Sequence, residues 1–203
     1  MKGIIILIER VIFLKLTVRQ IVISGILGAI AILLGWPIIG ASAIGYIPVP
    51  NVTGNATIMH IPAILGGVLE GSLVGILVGG IFGFSSFYLA TTIRPSPIFS
   101  DPFVAILPRL FIGLVAYLVY TIIKKINNSL ALVLAGILGS FTNTIFVLGM
   151  IHLRGLGNFW AILISVLPQA VIEAIIAAIV TLIIGNAIDV YRGARGVRAK
   201  TSE

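Results

Sequence analysis

Cysteine is absent from this chain of 203 residues, and the only two histidines are His60 and His152. Disulfides and thiolate metal sites are therefore excluded, and two histidines alone are too few for a metal or haem site. Charged residues are also scarce, at 9% of the chain, whereas a soluble domain typically has about 25%. Hydrophobic residues make up 59%. The composition predicts an all-α integral membrane protein.

The length of the chain limits how often it can cross a membrane. A spanning helix needs about 20 apolar residues, so the chain allows at most six or seven spans with short loops. We expect no room for a soluble catalytic domain, so an ATPase that drives this protein must be another chain. Six spans are favoured within residues 17–190, after an interfacial segment, 1–16, and before a basic tail, 191–203. The first five spans are predicted at residues 17–36, 56–69, 73–89, 101–123 and 130–151. The sixth lies within residues 159–188 and is predicted to begin near residue 163.

The distribution of Lys and Arg predicts the orientation of these spans. Ten of these residues flank one side, whereas only Arg94 and Arg154 lie in loops of the other side. Because cytoplasmic loops carry the excess of positive charge, both termini are predicted to be cytoplasmic. Orientation also explains the net charge of +7, so no nucleic-acid partner is expected. The long loops 37–55 and 90–100 then face outward, and we expect a ligand to be recognised from that side.

Glycines recur at every fourth residue from Gly67 to Gly83. A helix carries residues at this spacing along one face, which lets another helix approach to backbone distance. The turn at 70–72 divides the series, so that Gly75, Gly79 and Gly83 belong to the third span. This glycine seam either packs inside the protein or forms a surface for another subunit.

Polar side chains inside the last three spans are costly in a membrane and need an explanation. Arg109 lies well inside the fourth span, and Gly113 and Tyr117 follow at spacing four on the same face. Arg109 and Glu173 either form an ion pair that fixes helix packing or face a solute cavity, where Arg109 would match a carboxylate or phosphate. The candidate binding residues combine polar residues of the spans with aromatic residues near a possible mouth: Arg109, Asn143, Gln169, Glu173, Tyr117, His60, Phe84, Tyr88 and Phe99.

Taken in order along the chain, several motifs resemble the substrate-binding S components of energy-coupling factor (ECF) vitamin transporters. The resemblance is carried by residues 17–20, 60–67, 69–72, 107–109 and 142–144. Gly113, Pro168, Gln169 and Glu173 also match, and Ser72 stands where the family usually has proline. Together these motifs cover most of residues 17–190.

The resemblance implies a six-helix S-component fold that binds a vitamin or a vitamin precursor and is not an enzyme. It further implies a transmembrane coupling subunit and two cytoplasmic ATPase subunits as partners, in the plasma membrane of a prokaryote. Substrate release would occur by toppling of the S component in the bilayer, and no metal or cofactor is expected. Gly25 and Ala29 would form the family's Ala-xxx-Ala face on the first span. The expected face for the coupling subunit comprises Ser24, Gly25, Gly28, Ala29, Gly75 and Gly79.

The resemblance also favours one substrate, pantothenate. Residues 60–62, 85–87 and 98–102 look most like those of pantothenate-type members, and Arg109 would suit the carboxylate of pantothenate. Riboflavin, hydroxymethylpyrimidine and a benzimidazole precursor stay open. Two functions of other classes are also open: an intramembrane enzyme, for which the spans offer only Glu173 and two separated histidines, and an oligomeric channel assembled through the glycine seam.

Overall fold

The structure, a computed structural model, describes residues 16–39, 42–48 and 55–200. The predicted interfacial segment lies outside the described residues except for Leu16. Helices dominate the described chain, and two pairs of short antiparallel strands, β1 with β2 and β3 with β4, lie between the first two helices. In chain order the elements are α1 Val18–Gly35, β1 Pro37–Ile39, β2 Ser42–Ala43, β3 Tyr46–Pro48, β4 Asn55–Thr57, α2 Ile61–Glu70, α3 Ser72–Thr92, α4 Pro102–Ala105, α5 Leu107–Ile123, α6 Asn128–Leu153 and α7 Phe159–Lys200.

Five helical segments are long and apolar enough to cross a membrane, judged by length and composition within the described residues. They are α1, α3, α4 with α5, α6 and α7. The chain is thus a multi-pass, all-α membrane protein, as the composition predicts. The predicted second span is shorter than expected: α2 has 10 residues, or about 15 Å, against a hydrocarbon core of about 30 Å. Residues 61–68 of α2 are all buried, so neighbouring helices rather than lipid surround it.

The two ends of the described chain lie at the same end of the bundle. Glu70, at the end of α2, accepts hydrogen bonds from Arg19 near the start of α1 and from Arg192 in α7. We call this end of the bundle the Glu70 end. Its assignment to the cytoplasm stays a prediction.

The glycine seam lies inside the bundle, where α2, α3 and α5 meet at backbone distance. A Cβ atom on Gly75 would lie 2.7 Å from Cα of Gly113 and 2.9 Å from Cα of Gly67. A Cβ atom on Gly79 would lie 2.1 Å from the carbonyl oxygen of Arg109. Gly75 and Gly79, expected on the face for the coupling subunit, are instead covered by α5. The reason is that α5 contributes Gly113 where it crosses α3, so neither helix has a side chain at the contact and their backbones can approach closely.

The last helix is longer than its predicted span. With 42 residues, α7 is about 63 Å long, and it exceeds the whole bilayer of about 40–45 Å. The predicted basic tail is continuous with this helix as far as Lys200.

Candidate functional site

A cavity of about 430 Å³ lies at the end of the bundle opposite Glu70. Its walls come from the C-terminal halves of α3 and α6, the N-terminal half of α7, the start of α5, the loop 94–99, and Gly35, Thr57 and Met59. Apolar side chains form much of the wall, which is the usual composition of a small-molecule site. The polar residues that line the cavity are Thr57, Ser85, Ser86, Arg94, Ser96, Arg109, Asn143, Thr144, Gln169 and Glu173.

The position of Arg109 follows from a break in the fourth span. Asp101 caps α4 by accepting a hydrogen bond from the backbone N–H of Phe103 at 2.9 Å, and the helix is interrupted at Ile106. Pro108 has no N–H, so in a continuous helix the carbonyl of Val104 would lose its partner. Nη1 of Arg109 donates to this carbonyl at 2.6 Å. The arginine side chain is thereby directed back toward the break, at the wall of the cavity.

Aromatic rings enclose the guanidinium group of Arg109. Its central carbon lies 5.5 Å from the ring centre of Phe82 and 5.1 Å from that of Phe99. Both distances are within the range of cation–π attraction. Arg109 is only 4% exposed and lines the cavity. A fixed positive charge in surroundings of low polarity favours an anionic group on the ligand.

Glu173 connects α7 with β4. Its Oε1 accepts hydrogen bonds from the backbone N–H of Thr57 at 2.7 Å and from the Thr57 hydroxyl at 3.3 Å. Nε2 of Gln169, one turn earlier on α7, donates to the same oxygen at 2.8 Å. The partners that the structure gives Glu173 are thus Thr57 and Gln169. This carboxylate stabilises the position of β4 at the cavity wall.

Replacing Glu173 with alanine should loosen β4. The loss of a hydrogen bond to a charged acceptor costs about 1.5 kcal/mol or more, so amide exchange at residues 56–58 should accelerate roughly tenfold. Hydrogen–deuterium exchange of the purified protein measures this rate. Glu173→Gln keeps an acceptor oxygen for Thr57 and serves as the matched control, with a smaller increase. Unchanged exchange in Glu173→Ala would show that β4 is held by other contacts.

Asn143 and His60 are both buried polar residues, but only Asn143 lines the cavity. Oδ1 of Asn143 has no hydrogen-bond partner among the described residues, although it is buried and Asn143 lines the cavity. A buried acceptor without a partner is costly, so a donor on a ligand would satisfy it. His60 is completely buried at the start of α2, outside the cavity wall, and within the described part of the chain neither of its ring nitrogens has a hydrogen-bond partner.

Three aromatic candidates lie away from the cavity. Phe84 is 62% exposed on the outer face of α3, and Tyr88 stacks against Trp36 with ring centres 6.3 Å apart. Tyr117 is half-buried on α5, about 12 Å along the helix from Arg109. The candidates that the structure brings together around the cavity are Arg109, Asn143, Gln169, Glu173 and Phe99.

Residues 19–185 match the family model described as "ECF transporter, substrate-specific component". This match covers more than half of the chain. The chain belongs to this family.

The fold agrees with the family assignment. A solved structure described as the S component of a bacterial ECF transporter superposes with a TM-score of 0.61 and covers 85% of this chain and 96% of the other at 19% identity. The pantothenic acid transporter PanT of Lactococcus lactis subsp. cremoris (strain MG1363) is 33% identical over 113 residues. This alignment covers 48% of the present chain and 56% of PanT, so the similarity spans about half of each protein. The resemblance to ECF S components is therefore confirmed, and the family and fold are those of a transporter component.

The four residues of α1 that are expected to meet a coupling subunit differ in their exposure in this S component. Ser24 and Gly28 are buried, and a Cβ atom on Gly28 would lie 2.6 Å from the Ile81 side chain of α3. Gly25 and Ala29 are exposed, and no atom of the described residues lies within 4 Å of a Cβ atom on Gly25. Only the Gly25–Ala29 pair is therefore accessible to another helix in this structure.

Several lining residues of the S component were not among the candidates from sequence. Ser85 and Ser86 lie one helical step from Phe84, and adjacent serines in an apolar helix are a signal for the inward face. From sequence, Arg94 is only a charge in a predicted loop, but in the structure it lines the cavity. Thr57 carries no signal in the sequence, because its position depends on β3 and β4.

An ion pair joins two loops beside the cavity of the S component. Nε of Arg154 donates to Oδ2 of Asp101 at 2.6 Å, which links the loop after α6 to the start of α4. The hydrogen bond from Arg154 is the main cause that lowers the pKa of Asp101 below its usual value. The stabilisation from this pair is therefore present above the ordinary pKa of an aspartate and is lost as the pH falls below it.

Proposed function

We propose that this S component binds pantothenate in the cavity beside Arg109. The observation that carries the proposal is the buried guanidinium of Arg109 in a cavity of about 430 Å³. Small-molecule sites have volumes of roughly 300–1,000 Å³. Pantothenate has one carboxylate, which suits Arg109, and an amide and two hydroxyl groups, which suit neutral polar residues such as Asn143 and Ser86. The partial similarity to a pantothenic acid transporter supports the same substrate.

The proposed transport role follows from the family. As the substrate-specific subunit of an ATP-driven importer, the protein would meet a transmembrane coupling subunit through the exposed Gly25–Ala29 pair on α1. Two cytoplasmic ATPase subunits would supply the energy, and toppling in the plasma membrane of a prokaryote would deliver the substrate. The cavity would face outward, with the Glu70 end and both termini in the cytoplasm. Among the described residues, the Glu70 end carries Arg19, Lys124, Lys125 and Arg192, whereas Arg94 and Arg154 lie at the cavity end, which supports this orientation.

The substrate is tested by mass spectrometry of small molecules extracted from the full-length protein purified in detergent. We expect pantothenate to copurify or, after its removal, to bind on titration, whereas riboflavin and hydroxymethylpyrimidine should not compete. Retention of riboflavin, hydroxymethylpyrimidine or a benzimidazole instead would contradict the substrate but not the family. A homo-oligomer that conducts solutes passively and binds no vitamin would contradict the proposed role itself.

A further inference from the structure

A second, larger concavity lies on the outside of the bundle, away from the ligand cavity. It is an apolar groove of about 760 Å³ between α1, α2 and α7. Ile26 and Ile30 of α1, Leu65 of α2 and Ile184 of α7 are among the residues that line it. Along α1 the groove extends from Arg19 to Leu34, a distance of about 22 Å at 1.5 Å per residue. In a membrane, a groove of this shape is exposed to lipid.

The Glu70 end of the groove carries a compact basic cluster. Arg19 and Arg192 both donate to the same oxygen, Oε1 of Glu70, so their guanidinium groups lie side by side. Two arginines and one glutamate give this cluster a net charge of +1. Both arginine side chains are partly exposed, at 58% and 40%, whereas the Glu70 side chain is 8% exposed. The face that the cluster presents outward is therefore positive.

The depth of this cluster matches that of lipid headgroups. Arg19 lies at the beginning of the first apolar span, and Arg192 lies at the end of the last one. The groove then extends from the headgroup region into the hydrocarbon region. Half of a hydrocarbon core measures about 15 Å, so the groove is long enough for an acyl chain of one leaflet. Basic pockets between spanning helices are known to bind anionic lipid headgroups.

We propose that this groove binds an anionic phospholipid. One acyl chain lies along Ile26, Ile30 and Ile184, and the phosphate accepts hydrogen bonds from Arg19 and Arg192. The charge of the cluster selects an anionic headgroup over a zwitterionic one, and the long apolar wall fits an acyl chain, which free phosphate lacks. The groove adjoins the exposed Gly25–Ala29 pair, so lipid in it borders the surface proposed for the coupling subunit.

The test uses native mass spectrometry of the full-length protein in an equimolar mixture of phosphatidylglycerol and phosphatidylcholine with identical acyl chains. The wild type should retain phosphatidylglycerol at least about fivefold over phosphatidylcholine. Arg19→Gln with Arg192→Gln should remove this preference. Lys124→Gln, which removes an exposed cation from the end of α5 at the same end of the bundle, should keep it. Equal retention of the two lipids by the wild type would overturn the proposal.

Two further variants keep the test decisive if the double arginine variant does not fold. Glu70→Gln raises the charge of the cluster from +1 to +2 and should increase the preference for phosphatidylglycerol. Ile26→Trp fills the groove and should reduce lipid retention, whereas Ile21→Trp, on an exposed position outside the groove, should not. Unchanged retention in Ile26→Trp would overturn the proposal. Lipid retention that disappears whenever the coupling subunit is bound would also overturn it, because the groove would then be a subunit interface.

Discussion

Replacing Arg109 with glutamine is expected to weaken pantothenate binding about 100-fold, because removal of one member of a buried charge pair costs about 2–5 kcal/mol. Arg109 supplies a buried positive charge at the cavity wall. Arg109→Lys should recover part of the affinity, because lysine restores the charge but not the planar fork that binds a carboxylate through two donors. Isothermal titration of the detergent-purified protein measures each dissociation constant.

The Arg109 variants need a control for structural damage, because this side chain also satisfies the carbonyl of Val104. Arg154→Gln removes a cation at the same end of the bundle, and this side chain is 49% exposed and lies outside the cavity wall. It should leave pantothenate affinity nearly unchanged. A thermal unfolding curve for each variant separates lost binding from lost folding. Wild-type affinity in a folded Arg109→Gln protein would assign this arginine to helix packing alone.

Replacing Gly79 with alanine is expected to lower both stability and ligand affinity. The added Cβ atom would lie 2.1 Å from the carbonyl oxygen of Arg109, so α3 and α5 must separate. Overpacking of this kind typically costs about 1–3 kcal/mol, and it moves the backbone that carries Arg109. Thermal unfolding and pantothenate titration should therefore change together.

Gly25→Ala is the matched control for Gly79→Ala, because within the described part of the chain its added Cβ atom has no neighbour within 4 Å. We expect it to leave folding and ligand binding intact. If Gly79→Ala abolished transport by the complete importer but left binding and stability unchanged, the seam would be a surface for another subunit. That result would contradict the internal packing described above.

The sequence predicted the membrane class and four of the ten polar residues that line the cavity for a physical reason. Charges and amides inside a lipid-embedded helix are so costly that each one marks an inward or functional face. Arg109, Asn143, Gln169 and Glu173 were chosen on this ground, and all four line the cavity. Gln169 and Glu173 are four residues apart, so one face of α7 carries both, and the structure shows a hydrogen bond between them.

Other features of the site depend on contacts that spacing does not encode. Periodicity tells which residues share a helix face but not which neighbour covers it. From sequence, the seam at Gly75 and Gly79 is compatible with internal packing or with a partner subunit, and the structure shows that α5 covers it. Aromatic residues are ambiguous in the same way, because an aromatic side chain can contact either lipid or a ligand. Phe84 therefore faces outward while Ser85 lines the cavity. Thr57 reaches Glu173 only because β3 and β4 pair.

The length of α2 was overestimated for a related reason. Residues 56–69 are mostly apolar and therefore resemble one span, but residues 55–57 form β4 and the helix begins only at Ile61. Burial on all sides, rather than lipid contact, explains why such a short helix is stable at this depth.

We propose that a carboxylate of the ligand meets Arg109 inside the cavity. In the deciding experiment, pantothenate and its alcohol analogue, which lacks the carboxylate, are each titrated into the wild type and into Arg109→Gln. We predict that the wild type binds the alcohol about 100-fold more weakly than pantothenate, whereas Arg109→Gln binds both equally. If the wild type bound the two ligands with equal affinity, or if the variant kept the preference for the acid, the assignment of Arg109 to the carboxylate would be contradicted.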